Sequence, residues 1–349
     1  MLTTNKTYSY EACYVNKFSR LSEHNSMASQ EDISKYFTGT HEVQECAEGQ
    51  GEADLHTQMA HCKKTPGHLG FIPVNRLTNE HFPSGYHDND LYKFTKAVAD
   101  LTVRIAVKFT SPDRPEFIPG TQDPYPFYNS RGTSLLRTGT GRVCELIKDT
   151  EGTNGSRHCP CPECEHSATP SKVWWVVHVV TAKHVVYDTS EARQSSCRLW
   201  FDRERCPKVN IYGREVPGSN VDGDLCMMFC WTHDTRTADK LDEMLGRYED
   251  LCAVVRDKYE SRRDVDKLTI IVSHPHGCSK QVSVGHWVHR QEVGMLKQIR
   301  YSYTACTCPG SSGAQVYRVG WGWSAHTHSG ANANSGGLNY SGLAGDTDW

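Results

Sequence analysis

Cys306-Thr307-Cys308-Pro309-Gly310-Ser311-Ser312-Gly313-Ala314 decides how the rest of the chain is read. Taken alone, a Gly-Ser-Ser-Gly run is a flexible turn. It gains meaning from two earlier segments. Val179-Val180-Thr181-Ala182-Lys183-His184 closes an apolar run on a histidine, and Asp224-Leu225-Cys226-Met227-Met228 opens another on an aspartate. A serine is a weak nucleophile at neutral pH. It needs a base within hydrogen-bond reach, and the base needs a third group to fix its tautomer. His184 is the candidate base, Asp224 the orienting carboxylate and Ser312 the nucleophile. Asp222 competes with Asp224, because residues two apart share one face of a strand. The aliphatic run begins directly after Asp224, which favours it. Gly310 lets the backbone approach closely and aim its N–H, with that of Ser312, at a developing oxyanion.

Composition sets the bounds. The 349 residues carry a formal net charge of −3, without the basic excess that nucleic-acid or membrane-surface binding calls for. No apolar run reaches membrane-spanning length. The N-terminal residues have no apolar core of the secretory kind, so an intracellular, cytoplasmic location is expected. The fifteen cysteines are odd in number and locally clustered, and are expected as thiols.

Residues 1 to 87 are polar and histidine-rich, with no clear period. Cys46, His56, His61 and Cys62 are irregularly spaced and read as ordinary surface residues; this region receives no functional reading. Leu91, Phe94, Val98, Leu101 and Ile105 recur at helical steps, which predicts a helix over about 88–109. Prolines 112, 115, 119, 124 and 126 suggest a semi-rigid linker, so the chain divides into an N-terminal region, 1–125, and a second domain, 126–349. From there short β-prone runs alternate with turns: Thr138 to Val143, Val173 to Val180, Val185 to Tyr187, Arg198 to Phe201, and Leu268 to Val272. An amphipathic helix over Asp239 to Tyr259 interrupts them and is expected to bridge two halves of a β domain. The resulting class is all-β, with an inserted helix and an irregular N-terminal region containing one helix.

Thr181-Ala182-Lys183-His184 resembles the Thr-Ala-x-His block of trypsin-like serine peptidases. Asp224 to Met228 resembles their Asp followed by aliphatic residues. Cys308 to Gly313 resembles their Cys-x-Gly-Asp-Ser-Gly, and Thr138-Gly139-Thr140-Gly141 the opening strand of the disulfide-poor, intracellular branch. The resemblance covers roughly residues 130 to 349. It implies a chymotrypsin-like double β-barrel with the site in the cleft between barrels, and hydrolysis of a protein or peptide substrate without a catalytic cofactor. Val185 stands where secreted members place a cysteine, and Ser311 replaces an aspartate used in zymogen activation. Cys306 takes the position at the base of the primary pocket and offers no charge to a basic side chain.

Two further clusters keep alternative readings open. His326 and His328 precede Ser329-Gly330 on a strand expected to line that pocket, where an imidazole would hydrogen-bond a glutamate or glutamine; two partly exposed strand histidines would look the same. His158-Cys159-Pro160-Cys161-Pro162-Glu163-Cys164-Glu165-His166 is rich in thiols and imidazoles. Cys159, Cys161, Cys164 and His166 could hold a structural zinc, or the cysteines could be free thiols. A peptidase-like binding module and a zinc-dependent interaction protein are the alternatives to a serine endopeptidase.

Overall fold

The computed structural model describes residues 39–45, 52–150, 156–294, 297–322, 324–332 and 337–345. Its strands are β1 (Thr40–His41), β2 (Gln44–Glu45), β3 (Ile72–Pro73), β4 (Thr102–Val107), β5 (Arg137–Thr150), β6 (Val173–Thr181), β7 (Ser195–Leu199), β8 (Val209–Asn220), β9 (Leu225–Thr232), β10 (Leu268–Ser273), β11 (Gln281–Val293), β12 (Gln298–Tyr303), β13 (Val316–Arg318), β14 (His328–Ala331) and β15 (Asn339–Ser341). They form an all-β, chymotrypsin-like double β-barrel.

The first barrel is a ring. Antiparallel pairing runs β5-β4-β7-β8-β9-β6, and β6 returns to β5. Val, Ile, Leu and Met side chains fill it, among them Ile105, Val143, Val179, Leu199 and Met228. In the second, β14-β15-β12-β11-β10-β13 pair in order. The ends meet at a bridge between Gln315 and Thr327, flanked by Val316 N–H to His326 O at 2.9 Å and His328 N–H to Ala314 O at 2.7 Å. A closed sheet leaves no edge unpaired, which an open sheet of this length would have to protect otherwise. Trp287, Ile299, Tyr301, Tyr303 and Val316 form its separate core.

Three helices matter for the frame: α1 (Glu52–Ala60), α2 (Asn89–Leu101) and α3 (Thr235–Tyr259). As expected, α3 carries the chain from one barrel to the other. Asp234 caps its start, accepting from Arg236 N–H at 3.2 Å, and its apolar face packs on α2 through Phe94 and Tyr248, 5.9 Å between ring centres. Asp88 caps α2 and also accepts from the Tyr259 hydroxyl at 2.8 Å, fastening the two helices together.

Several expectations are corrected. The helix expected over 88–109 stops at Leu101, because Thr102-Val103-Arg104-Ile105-Ala106-Val107 is β-prone and enters the first barrel as β4, buried along its whole length between β5 and β7. The division at 126 therefore cuts through one unit: residues before it supply β1 to β4. The proline-rich stretch is packed rather than a linker. Arg114 is fully buried there, and Ile118 and Tyr125 form a small apolar cluster. Val185 to Tyr187 is a turn and not a strand.

Candidate active site

His184 lies in the turn that ends β6, and Asp224 in the turn that opens β9. Because β6 and β9 are neighbours, with Thr181 opposite Cys226, the two turns meet. His184 N–H donates to Asp224 Oδ1 at 2.9 Å, and its Nδ1 lies 2.7 Å from Oδ2. That second bond fixes the tautomer with the proton on Nδ1, leaving the Nε2 lone pair to act as base. The Nε2 atom is buried and has no hydrogen-bond partner among the described residues. Burial alone would raise the Asp224 carboxyl, but His184, His41 and a hydrogen bond from Ser329 Oγ hold it well below the usual carboxylate range. Asp222, half-buried two residues away, is not bonded to the ring; burial raises its carboxyl.

A buried ion pair shapes the histidine turn from behind. Arg114 donates to both Glu191 oxygens at 2.6 and 2.8 Å and to the His184 carbonyl at 3.1 Å. Glu191 also accepts from Tyr187 N–H and Ser111 N–H, each at 2.9 Å. The stretch expected to be a linker thus holds the His184 turn in place.

Ser312 sits in the loop between β12 and β13. Gly310 has φ +94°, in the region that favours glycine, and a Cβ there would lie 2.7 Å from the His274 carbonyl oxygen. Thr140 in β5 clamps the loop across the cleft: its N–H bonds to Ser312 O and its Oγ1 to Gly310 O, both at 2.8 Å. A Cβ on the adjacent Gly139 would strike both Val185 and the Ser312 carbonyl, so this glycine lets the histidine turn and the serine loop close on one another. Among the described residues, neither Gly310 N–H nor Ser312 N–H has an acceptor. The Ser312 hydroxyl does not bond to His184. It bonds instead to the carbonyl oxygen of Glu42.

Glu42 fills the pocket. His328 Nε2 lies 2.7 Å from Glu42 Oε2, and Thr307 Oγ1 donates to the same oxygen at 2.8 Å. Lys64 Nζ pairs with Glu42 Oε1 and bonds to Thr307 Oγ1 at 2.8 Å and Asn339 Oδ1 at 2.7 Å. Tyr303 OH lies 2.7 Å from His328 Nδ1. Tyr303 OH also lies 3.2 Å from the Tyr340 carbonyl oxygen; burial lowers the His328 pKa and favours the neutral imidazole, whose Nε2–H donates to the Glu42 carboxylate. The expected pocket residues therefore separate. His328 contacts the bound carboxylate. His326 points the same way one layer deeper, its Nε2 3.1 Å from Ile299 O and its ring edge-on to Tyr301. Cys306 packs with Cys62, Phe71 and Cys308, and Thr307 takes the polar position beside it. Thr307, Ser329, Tyr303, Lys64 and Glu42 were missed. Ser329 and Thr307 stood beside named residues, but nothing near Lys64 or Glu42 marks them.

Among the described residues, two sets of thiols and imidazoles have ligand atoms within 4.8 Å of one another. The first contains Cys159, Cys161 and Cys164, but its imidazole is His233, just beyond β9, 3.2 to 3.9 Å from the three sulfurs. His166 is exposed at the end of the short 162–165 helix and lies outside the set. The second comprises Cys62, His68, His276 and Cys308. Cys62 and His68 thus leave the surface role expected of the 41–68 region, and Cys46 lies outside the described residues. His41, His184 and Asp224 also lie within this range, but the His184–Asp224 hydrogen bond already uses the facing atoms.

No family model and no curated protein matches the chain. Among solved structures, the HtrA-type protease AlgW with a tripeptide aligns at 12% identity and TM-score 0.38, covering 72% of this chain and 58% of the other. A second AlgW structure, with a decapeptide, is covered to 63%. The protease Rv3671c from M. tuberculosis, active form, aligns at 12% identity and TM-score 0.38, covering 74% of this chain and 83% of that one. The chain thus spans less than two thirds of the AlgW chains. At this similarity only the fold is shared. Among the described residues, no helix is long and apolar enough to cross a membrane.

Proposed function

We propose that the protein is a serine endopeptidase that cuts protein or peptide substrates after glutamate and, more slowly, glutamine. The observation that carries the reading is a backbone carbonyl lying against Ser312 while its side-chain carboxylate is held by His328, Thr307 and Lys64. In the reaction, Ser312 Oγ attacks the carbonyl carbon and His184 Nε2 takes the hydroxyl proton. Asp224 stabilises the imidazolium. The oxyanion turns toward the Gly310 and Ser312 N–H groups, which are unengaged and fixed in advance; losing one such donor costs about 100- to 1000-fold. His184 then protonates the leaving amine, and water, deprotonated by the same nitrogen, releases the acyl group. The neutral His328 N–H serves either a carboxylate or an amide oxygen, while Lys64 favours the carboxylate. No metal is needed for these steps.

The Cys159, Cys161, Cys164 and His233 set fits a structural zinc. Sulfur and nitrogen ligands on a tetrahedral zinc stand about 3.6 Å apart by bond length and angle, and the distances here bracket that value. All described cysteines are free thiols, which suits a reducing, intracellular compartment. A non-catalytic binding module is favoured by one observation, the missing Ser312–His184 bond. A fluorophosphonate probe separates the readings: labelling at Ser312, with peptide cleavage falling about 10⁴-fold or more in Ser312→Ala and in His184→Ala, supports the peptidase. No labelling, or labelling elsewhere with undiminished cleavage, rejects it.

A further inference from the structure

We propose that the Glu42–Val43 peptide bond of this chain is itself a substrate of the site, cut within the same molecule; the proposal rests on the peptidase reading above. The segment lies across the cleft as an extended peptide. On its N-terminal side β1 pairs antiparallel with β14, Thr40 opposite Ala331 and His41 opposite Gly330, and Glu42 N–H bonds to Ser329 O at 3.2 Å. On its C-terminal side β2 pairs with β5, Gln44 opposite Thr138 and Glu45 opposite Arg137. One barrel therefore grips the acyl half and the other the amine half. The bond between them is delivered to Ser312.

The side chains agree with the backbone. The His41 ring stacks on that of His184, 4.5 Å between centres and 27° between planes, covering the base on the acyl side. A buried carboxylate is costly unless it is matched by hydrogen bonds and charge, and Glu42 has His328, Thr307 and Lys64. Gln44 Oε1 lies 2.7 Å from His276 Nδ1, seating the amine half as well. A segment resting on the cleft by chance would not match pocket, pairing register and chain direction together.

The step balances with water as the only co-reactant. A bond forms between Ser312 Oγ and the Glu42 carbonyl carbon as its bond to Val43 N breaks. The Ser312 proton passes through His184 Nε2 to the departing amine. Water then replaces Ser312, leaving a Glu42 carboxylate and a free Val43 amine. Because the segment is tethered, the cut is independent of protein concentration.

The test is the N-terminal sequence and intact mass of the purified full chain. Wild type should convert to a product beginning at Val43 at a rate unchanged by dilution, while Ser312→Ala and Glu42→Ala stay uncut at that bond. Probe labelling and cleavage of a separate glutamate-containing peptide report on the peptidase reading independently. Activity on that peptide with the 42–43 bond intact overturns the proposal and leaves the peptidase standing. Loss of labelling, peptide cleavage and self-cleavage together overturns both.

A different observation points independently to a second tetrahedral metal site, at Cys62, His68, His276 and Cys308. The two sulfurs lie 3.6 Å apart, near the roughly 3.8 Å expected of two thiolates on one zinc. Among the described residues, the Nε2 atoms of His68 and His276 are buried without hydrogen-bond partners, although both residues belong to the cluster. A bound zinc would complete all four. It would also fasten the chain beyond Val43 to the serine loop after the cut. Element analysis should give about two zinc per chain in wild type and about one in Cys62→Ser. In folded wild type, Cys62 and Cys308 should resist alkylation until a chelator is added. A Cys62–Cys308 disulfide under reducing conditions, or alkylation of both thiols indifferent to chelator, overturns the site.

Discussion

Glu42 carries a clear electrostatic signature in the cleft. Burial would raise its carboxyl, yet the His328 hydrogen bond and the charge of Lys64 outweigh burial and hold it below its ordinary value. His328, on the same oxygen, is pushed the other way by burial, so the neutral imidazole donates and Lys64 supplies the charge. The sign follows from linkage. A carboxyl whose pKa is depressed on docking contributes in full above about 4.5 and loses that contribution as pH falls below it. In uncut Ser312→Ala protein, hydrogen-exchange protection of the Thr40 to Gln44 amides should therefore fall between pH 5 and pH 3. In the Ser312→Ala, Glu42→Gln protein, which keeps the His328 contact but cannot titrate there, that fall should be much smaller. Equal falls in both proteins would show that another group governs the release.

Elements differ in how legibly the sequence announces them. The residues around His184, Asp224 and Ser312 were readable because each closes or opens a run of five or more β-prone or glycine-marked positions. The chain order of the three then restricts how they can meet. The helix ending was misread because Ile105 continues the apolar stripe of α2 by accident of spacing, while the β-branched run from Thr102 follows barrel pairing. The proline stretch was misread because its one decisive residue, Arg114, is a charge whose partner, Glu191, lies far along the chain. Similarly, β1 and β2 are two residues each, too short to show any alternation, and exist only because β14 and β5 offer edges to them. His233 was invisible as a ligand because β6, β7, β8 and β9 separate it from the Cys159 loop in sequence before barrel closure returns it. Pairing across hundreds of residues leaves no local trace in composition.

At the scale of the molecule, the 39–45 segment spans the two barrels across the cleft. Each barrel has its own closed hydrogen-bond ring, and an apolar core shared by the first barrel, the helices and the outer faces of β10 and β11 joins them on the side away from the cleft. The helix pair bridges the barrels from one side, through α3. Within the cleft, β1 is held by the second barrel and β2 by the first, and Glu42 lies between them with its carboxylate fully partnered. The segment then acts as a tethered ligand that binds only the folded arrangement, and such a ligand stabilises in proportion to its affinity at its effective concentration. Removing it at fixed chemistry is the clean comparison. The Ser312→Ala chain beginning at Val43 should melt several degrees below the full-length Ser312→Ala chain, since about 1 kcal/mol moves Tm by about 2–4 °C in a domain of a couple of hundred residues. Adding a peptide ending in Thr-His-Glu should restore part of the difference, whereas the same peptide ending in lysine should not. Identical melting of the two chains would mean that the barrels hold together without the segment and that its place in the cleft contributes nothing to the fold.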